Sequence, residues 1–208
     1  MKRILISLLI ISLGMVQLKG QEINTSVEKV YVVFKTHLDV GFTDLSSVVT
    51  QRYITEFIPK ALDVSEKLRA ENASEKYVWT TGAWLIWKYL HTASPKEVER
   101  LEAAIRRGDI VWNSVPYTVE SESMNRDLFE TCLLLSHKLD EKYGKKTIAA
   151  KMTDVPGHTR SIVAPMSRAG IRFLHIGVNP ACPIPGVPEF CRWRDTDGSE
   201  LILVYQQD

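Results

Sequence analysis

His37 and Asp39 stand two residues apart at the end of an apolar run, Val30-Tyr31-Val32-Val33-Phe34. In a strand, residues i and i+2 point to the same face. An imidazole nitrogen and a carboxylate oxygen therefore converge at the strand's C-terminal end, where α/β folds place their chemistry. Such a pair is half of a zinc site, and it is equally a hydrogen-bonded pair with no metal at all. A second polar cluster, Met152-Thr153-Asp154-Val155-Pro156-Gly157-His158-Thr159, follows another apolar run and offers Asp154 as a third ligand. One imidazole and two carboxylates at strand ends suit zinc. Val40-Gly41-Phe42-Thr43-Asp44, directly after the pair, reads as a turn, and such loops carry function.

The elements that must position these groups alternate strand and helix. Val30–Phe34 reads as a strand buried on both faces. Residues 45–69 carry apolar side chains at helical spacing, with Pro59 set to kink or split the helix. Tyr77–Thr80 is a short strand, and Trp84–Leu90 is helical. Ser94-Pro95-Lys96-Glu97 is a capping box with proline at the first helical position, and Gly108 stops the helix it opens. Ile110–Trp112 is the next strand. Arg126–Tyr143 is a helix closed by Gly144. Ile148–Lys151, Arg172–Val178 and Leu201–Tyr205 are strands, with a helix from Ile162 to Ala169 between the first two. Repeated β–α–β units imply a parallel sheet with helices on its faces.

The chain has 208 residues, enough for one domain with a sizeable core. Its 26 basic and 25 acidic residues nearly cancel, which leaves no electrostatic footprint for nucleic acid or an acidic membrane. Residues 1–20 open with Lys2-Arg3, continue as an apolar run from Ile4 to Val16, and end in small or polar residues. This is the anatomy of a signal peptide. It implies a secreted or periplasmic protein with no membrane span after cleavage. Cys182 and Cys191 flank a Pro-rich loop and are placed to pair, whereas Cys132 reads as core. There is no P-loop, dinucleotide fingerprint or Gly-x-Ser-x-Gly elbow.

Several motifs together resemble glycoside hydrolase family 38, the α-mannosidases. His37-Leu38-Asp39-Val40-Gly41-Phe42 resembles that family's His-x-Asp-x-Gly-Trp signature. Asp154-Val155-Pro156-Gly157-His158-Thr159 resembles its Asp-Pro-Phe-Gly-His-Ser segment. Arg107-Gly108-Asp109-Ile110-Val111-Trp112-Asn113 is similar to its strand ending in Asn-Gly. Phe190-Cys191-Arg192-Trp193 with Asp197-Gly198-Ser199 is similar to its Phe-x-Trp and Asp-Gly-Ser hairpin. Order and spacing agree from about Val30 to Tyr205, which covers only the front of the family's catalytic domain. Phe42 stands in place of a Trp, Val155-Pro156 in place of Pro-Phe, and Met152-Thr153 in place of a Gln-hydrophobic pair. These departures mark a divergent branch.

The resemblance implies a partial (β/α)7 barrel, with parallel strands inside and helices outside, over residues 21–208. It implies Zn2+ as cofactor, held by His37, Asp39 and Asp154. Asp154 would also be the nucleophile of a retaining hydrolysis of a mannose-containing oligosaccharide or glycan. The last ligand and the general acid are expected beyond residue 208. The last residues, Leu201–Asp208, end just after an apolar strand with nothing to cover it, so the chain reads as part of a larger protein that is poorly soluble alone. Two other readings stand beside this one: a zinc-dependent polysaccharide deacetylase-like hydrolase, and a secreted carbohydrate-binding module without turnover. Trp112 and Trp193 lie near strand ends or loops, where they would stack on sugar. Glu120 and Glu122 follow the strand of Trp112 and either reach the barrel mouth or sit in a solvated loop. His158 reads as a structural hydrogen-bonder, and His175 as a core residue.

Overall fold

The protein is described by a computed structural model covering residues 25–206 apart from Pro156, Val178 and Pro180. The leader read over residues 1–20 lies outside the described residues. The chain divides into one compact unit up to Val32 and a second from Val33 onward. The second unit carries all the helices and strands that follow.

Strand β1 (Phe34–Lys35) pairs in parallel with β2 (Trp79–Gly82), and β2 with β3 (Ile110–Asn113). A second sheet has the order β4 (Ala149–Thr153), β5 (Phe173–Gly177), β7 (Glu200–Gln206) and β6 (Phe190–Arg194). Only β6 runs antiparallel, as the hairpin partner of β7. The Ser114 amide donates to the Ala149 carbonyl at 2.9 Å and bridges the end of β3 to the start of β4. Apart from the β6–β7 hairpin, the strands thus follow one another across the fold in chain order. Among the described residues they form two open sheets and do not close into a barrel.

Helices fill the crossovers. α1 (Ser46–Arg52) runs into a π-helical stretch, Tyr53–Phe57, and then into α2 (Ile58–Ala70). Pro59 lies in the first turn of α2. It has no N–H and its ring crowds the carbonyl four residues back, so the wider π turn before it relieves the clash. α3 (Ala83–Thr92) and α4 (Pro95–Arg107) join β2 to β3. The capping box at Ser94 forms with both of its hydrogen bonds, and Gly108 closes α4 with a φ of +82°. α5 (Arg126–Tyr143) joins β3 to β4, and α6 (Val163–Arg168) joins β4 to β5.

These helices cover one face of the sheets. Trp79, Ile110 and Trp112 on one sheet, and Met152, Leu174, Ile176, Leu201 and Leu203 on the other, are buried against them. Alternate residues such as Lys151, Thr153 and His175 are only half-buried on the opposite face. The strands are therefore apolar on one side and polar on the other, as period-2 alternation demands.

The first strand differs from the expectation. Val30, Tyr31, Val32, Val33 and Phe34 are 73, 77, 69, 69 and 45% exposed, and only Phe34–Lys35 pairs as strand. β1 is the edge of its sheet, bonded to β2 alone. A β-branched run specifies a strand, but its burial depends on a second neighbour that the described residues do not supply. The pairing open to Cys182 and Cys191 is not formed either: both are free, as is Cys132.

Asp109, at the mouth of β3, is only 3% exposed and receives hydrogen bonds from Arg69 and Arg107. Burial acts to raise its carboxyl pKa, but the two guanidiniums outweigh it and hold the group below the ordinary carboxylate range. Gly82 marks another tight place. A Cβ there would lie 2.1 Å from the Pro116 carbonyl oxygen, so only glycine lets the 113–118 loop cross the end of β2.

Candidate active site and metal centre

β1 carries His37 and Asp39 just past its last paired residue, and β4 carries Asp154 immediately after Thr153. The two strands approach across the polar face: the Lys35 ammonium donates to Thr153 Oγ1 at 3.1 Å. His37 Nε2 lies 2.9 Å from Asp39 Oδ1 and 3.5 Å from Asp154 Oδ2. One ligand atom from each of the three lies within 4.8 Å of the others. In a tetrahedral zinc site with bonds of about 2.0–2.1 Å, neighbouring ligand atoms stand about 3.3 Å apart. The observed separations bracket that value. The donor set also fits, with one imidazole and two carboxylates around a shared centre. His37, Asp39 and Asp154 would thus hold zinc.

Three features hold these side chains in place. The Tyr53 hydroxyl donates to the His37 carbonyl at 2.9 Å and lies 3.1 Å from Thr36 Oγ1, which fixes the backbone beneath the imidazole. The Asn179 side-chain amide donates to Asp154 Oδ1 at 2.7 Å. The Asp154 amide donates to the Gly177 carbonyl at 3.1 Å. Asp154 itself adopts a φ of +66°, in the left-handed region. Asp is among the few side chains that tolerate this conformation, and such residues gather at functional sites. His37 Nδ1 is buried with no hydrogen-bond partner among the described residues. If Nε2 faces a metal, Nδ1 carries the proton.

The other candidates fall elsewhere. Trp112 is buried in the core, with its indole N–H bonded to Asp140 at 2.9 Å and its ring against Tyr143. It faces the helices, so no ring face is free for a sugar. Trp193 is partly buried against the second core cluster. An aromatic ring that does stand open is Phe42, 87% exposed on the loop after Asp39. An open ring beside the ligands is a surface on which a sugar can stack. Its place in the His-x-Asp-x-Gly-Phe run was the signal for it. Glu120 and Glu122 are exposed, the first capping and the second within a short 3₁₀ turn, Ser121–Ser123. Tyr53 and Asn179 were not legible as site residues, because nothing in a helical apolar pattern or a Pro-rich loop marks a side chain that will reach a distant strand end.

His158 is a structural hydrogen-bonder. Its Nδ1 lies 3.2 Å from Ser121 Oγ, which in turn accepts from the Thr159 amide at 3.1 Å. This ties the loop after Asp154 to the 3₁₀ turn. Burial lowers its pKa from 6.5 to about 4. The unfolded chain binds this proton more readily, so the stabilisation is complete above about pH 6.5 and fades as pH falls toward 4. A shift of this size is worth about 3 kcal/mol. Replacing His158 with Gln should flatten the fall in melting temperature between pH 6.5 and 4. An unchanged pH slope in that variant would assign the acid sensitivity to other groups.

No protein-family model matches the chain, and no curated protein is similar to it in sequence. Solved structures do match. A glycosyl hydrolase family 38 protein from Enterococcus faecalis superposes with a TM-score of 0.63 at 15% identity, over 84% of this chain and 18% of that one. An α-mannosidase from Enterococcus faecalis V583 gives 0.68 at 17% identity, over 84% and 20%. A 4-α-glucanotransferase from Thermococcus litoralis gives 0.57 at 13% identity, over 83% and 27%. The chain spans only about one-fifth to one-quarter of the length of these proteins. Identities this low speak to the fold alone: residues of this chain share the fold of a segment of glycoside hydrolase family 38 proteins, α-mannosidases among them.

Proposed function

We propose that this chain carries the nucleophile and three metal ligands of an exported, zinc-dependent, retaining glycoside hydrolase of the α-mannosidase type. Its strands would form the first part of a (β/α)7 barrel. The observation that carries this reading is the meeting of His37, Asp39 and Asp154 at the strand ends of a glycoside hydrolase fold. The ordered motifs shared with family 38 support the same assignment.

In this reading His37 and Asp39, just past β1, and Asp154, at the end of β4, would hold the zinc. Bound zinc would orient adjacent sugar hydroxyls and draw off negative charge. The Asp154 carboxylate attacks the anomeric carbon while the bond to the aglycone oxygen breaks with its electron pair. That oxygen takes a proton from a carboxylic acid outside these residues. The same group, now a carboxylate, deprotonates the water that releases the sugar from Asp154. Retention requires the two carboxyl groups to stand about 5 Å apart. Phe42 stacks against the sugar ring, and the hydrogen bond from Asn179 to Oδ1 fixes the orientation of the Asp154 carboxylate.

The test is hydrolysis of an aryl α-mannoside by the full-length protein. Turnover should vanish with a chelator and return with zinc, and the first-released sugar should be the α-anomer by NMR. Chelator-resistant turnover, or release of the β-anomer first, would overturn the mechanism.

A further inference from the structure

Two lysines rise toward the metal ligands from below. Lys35 lies two residues before His37 on β1, and Lys151 three residues before Asp154 on β4. Neither side chain points along its own rung. Lys35 Nζ reaches Thr153 Oγ1 at 3.1 Å, and Lys151 Nζ lies 3.5 Å from the Met152 carbonyl. Lys151 Nζ is also 3.0 Å from where a Cβ of Gly177 would stand, and Gly177 pairs in register with Thr153. Both amino groups thus gather at the last paired rung of β4 and β5, directly beneath Asp154. The two lie within hydrogen-bonding reach of each other. Gly177 leaves the room for this.

Beside Lys151 on β5 is His175, whose Nε2 lies 3.0 Å from Gln206 Oε1. Among the described residues no carboxylate counters the charge of either lysine. A crevice lined by Lys35, Lys151, Thr153, Asn113 and Thr118 opens here and includes His37 in its wall. Its volume is about 30 Å³, too small for a sugar ring.

Placing two ammonium groups side by side in a half-buried position is unfavourable without an anion. Burial, with Lys35 alongside, lowers the pKa of Lys151 to about 7. Placing the pair next to a dication adds to the cost. An anionic oxygen entering the crevice removes it, and lysine ammonium groups bind such oxygens as point charges.

We propose that Lys35 and Lys151 form a recognition site for an acidic substituent, a carboxylate or a sulfate or phosphate ester, on the sugar bound at the metal centre. This rests on the glycoside hydrolase reading and adds a substrate class to it, an acidic glycan. The crevice adjoins His37, so a group on the metal-bound residue can enter it while the ring stays above. The small volume selects a substituent.

Two measurements on the full-length protein test this. The first is calorimetric titration of the chelated, metal-free protein with sodium sulfate at constant ionic strength. Sulfate should bind, and binding should weaken at least tenfold in Lys151→Met and in Gly177→Ala, which displaces the ammonium. Lys151→Arg should retain it, as should Lys60→Met, a change at a surface lysine paired with Glu56. The second compares the zinc-loaded enzyme on a neutral aryl α-mannoside, its uronate, its 6-sulfate and its 6-phosphate. One acidic substrate should exceed the neutral one at least tenfold in kcat/KM, and Lys151→Met should erase that preference. Which acidic substrate wins identifies the group. Equal sulfate binding in wild type and Lys151→Met, or a preference for the neutral sugar, overturns the proposal. A lower melting temperature in Lys151→Met with no sulfate effect also overturns it, because the partner is then a carboxylate of the polypeptide. If no glycoside is cleaved, the hydrolase reading fails while the sulfate titration still decides the anion site.

Discussion

Replacing His37 with alanine is expected to strip zinc from the full-length protein. The imidazole is the centre of the cluster: its Nε2 faces both Asp39 Oδ1 and Asp154 Oδ2. Without it the two carboxylates retain no nitrogen partner, and zinc prefers a mixed nitrogen and oxygen shell. Losing a hydrogen-bonding partner of a ligand already costs 10- to 100-fold in affinity, on the order of 1–3 kcal/mol. Loss of the ligand itself should exceed about 100-fold. Tyr53→Phe tests the layer below. It removes only the hydroxyl that donates to the His37 carbonyl, so its effect should fall near 10-fold, on the order of losing one such partner. Elemental analysis after dialysis, with competition against a zinc indicator, reads both. Unchanged stoichiometric zinc in His37→Ala would mean that the metal sits elsewhere. His37 is about a third exposed and belongs to no core cluster, so the variant should fold, and a lost metal is not a lost fold.

The site was more legible in the sequence than the strand that bears it. The i, i+2 spacing predicts that His37 and Asp39 converge, and they do, although both lie just past the paired part of β1. Asp154 required one further step: an apolar run must end where another ends. The register of β4 with β5 and the crossing of Lys35 to Thr153 put it there. What the sequence could not convey was burial. Val30–Phe34 carries a strong strand signal, yet it lies exposed, because burial depends on which strand lies alongside. The same limit misplaced Trp112. The sequence puts it at a strand end, but the parity of the strand turns its ring toward α5 and Asp140. The helix boundaries were read closely where caps are local, as at Ser94 and Gly108, since those hydrogen bonds close within a few residues. Lys35 and Lys151 passed unnoticed for the opposite reason. They lie 116 positions apart in the chain (151 − 35), and a lysine in a strand reads as edge or solvent until a sheet brings a second one beside it.

Asp154→Asn is expected to abolish turnover and leave the fold intact. Asparagine shares the tolerance of aspartate for the left-handed backbone, so the φ of +66° carries little added strain. Its side-chain oxygen can still accept from Asn179, which preserves the loop contact. The nucleophile is gone, however, because an amide oxygen does not form a stable bond to the anomeric carbon and no neighbouring group replaces it. Removing the covalent nucleophile of a serine protease costs on the order of 10⁶-fold in kcat. A loss of at least about 10⁴-fold is expected here by the same logic. One negative charge also leaves the metal centre, so zinc should bind more weakly. Assays at several zinc concentrations separate the two effects: added metal restores occupancy, and the rate should not follow. The complementary measurement uses the wild-type protein and a 2-deoxy-2-fluoro mannosyl fluoride, which slows release of the covalent intermediate. Peptide mass mapping should place the label on the segment holding Asp154. A label on Glu120, Glu122 or any other carboxylate would reassign the nucleophile and leave Asp154 as a ligand alone. Near-normal turnover in zinc-saturated Asp154→Asn would remove it from the chemistry altogether.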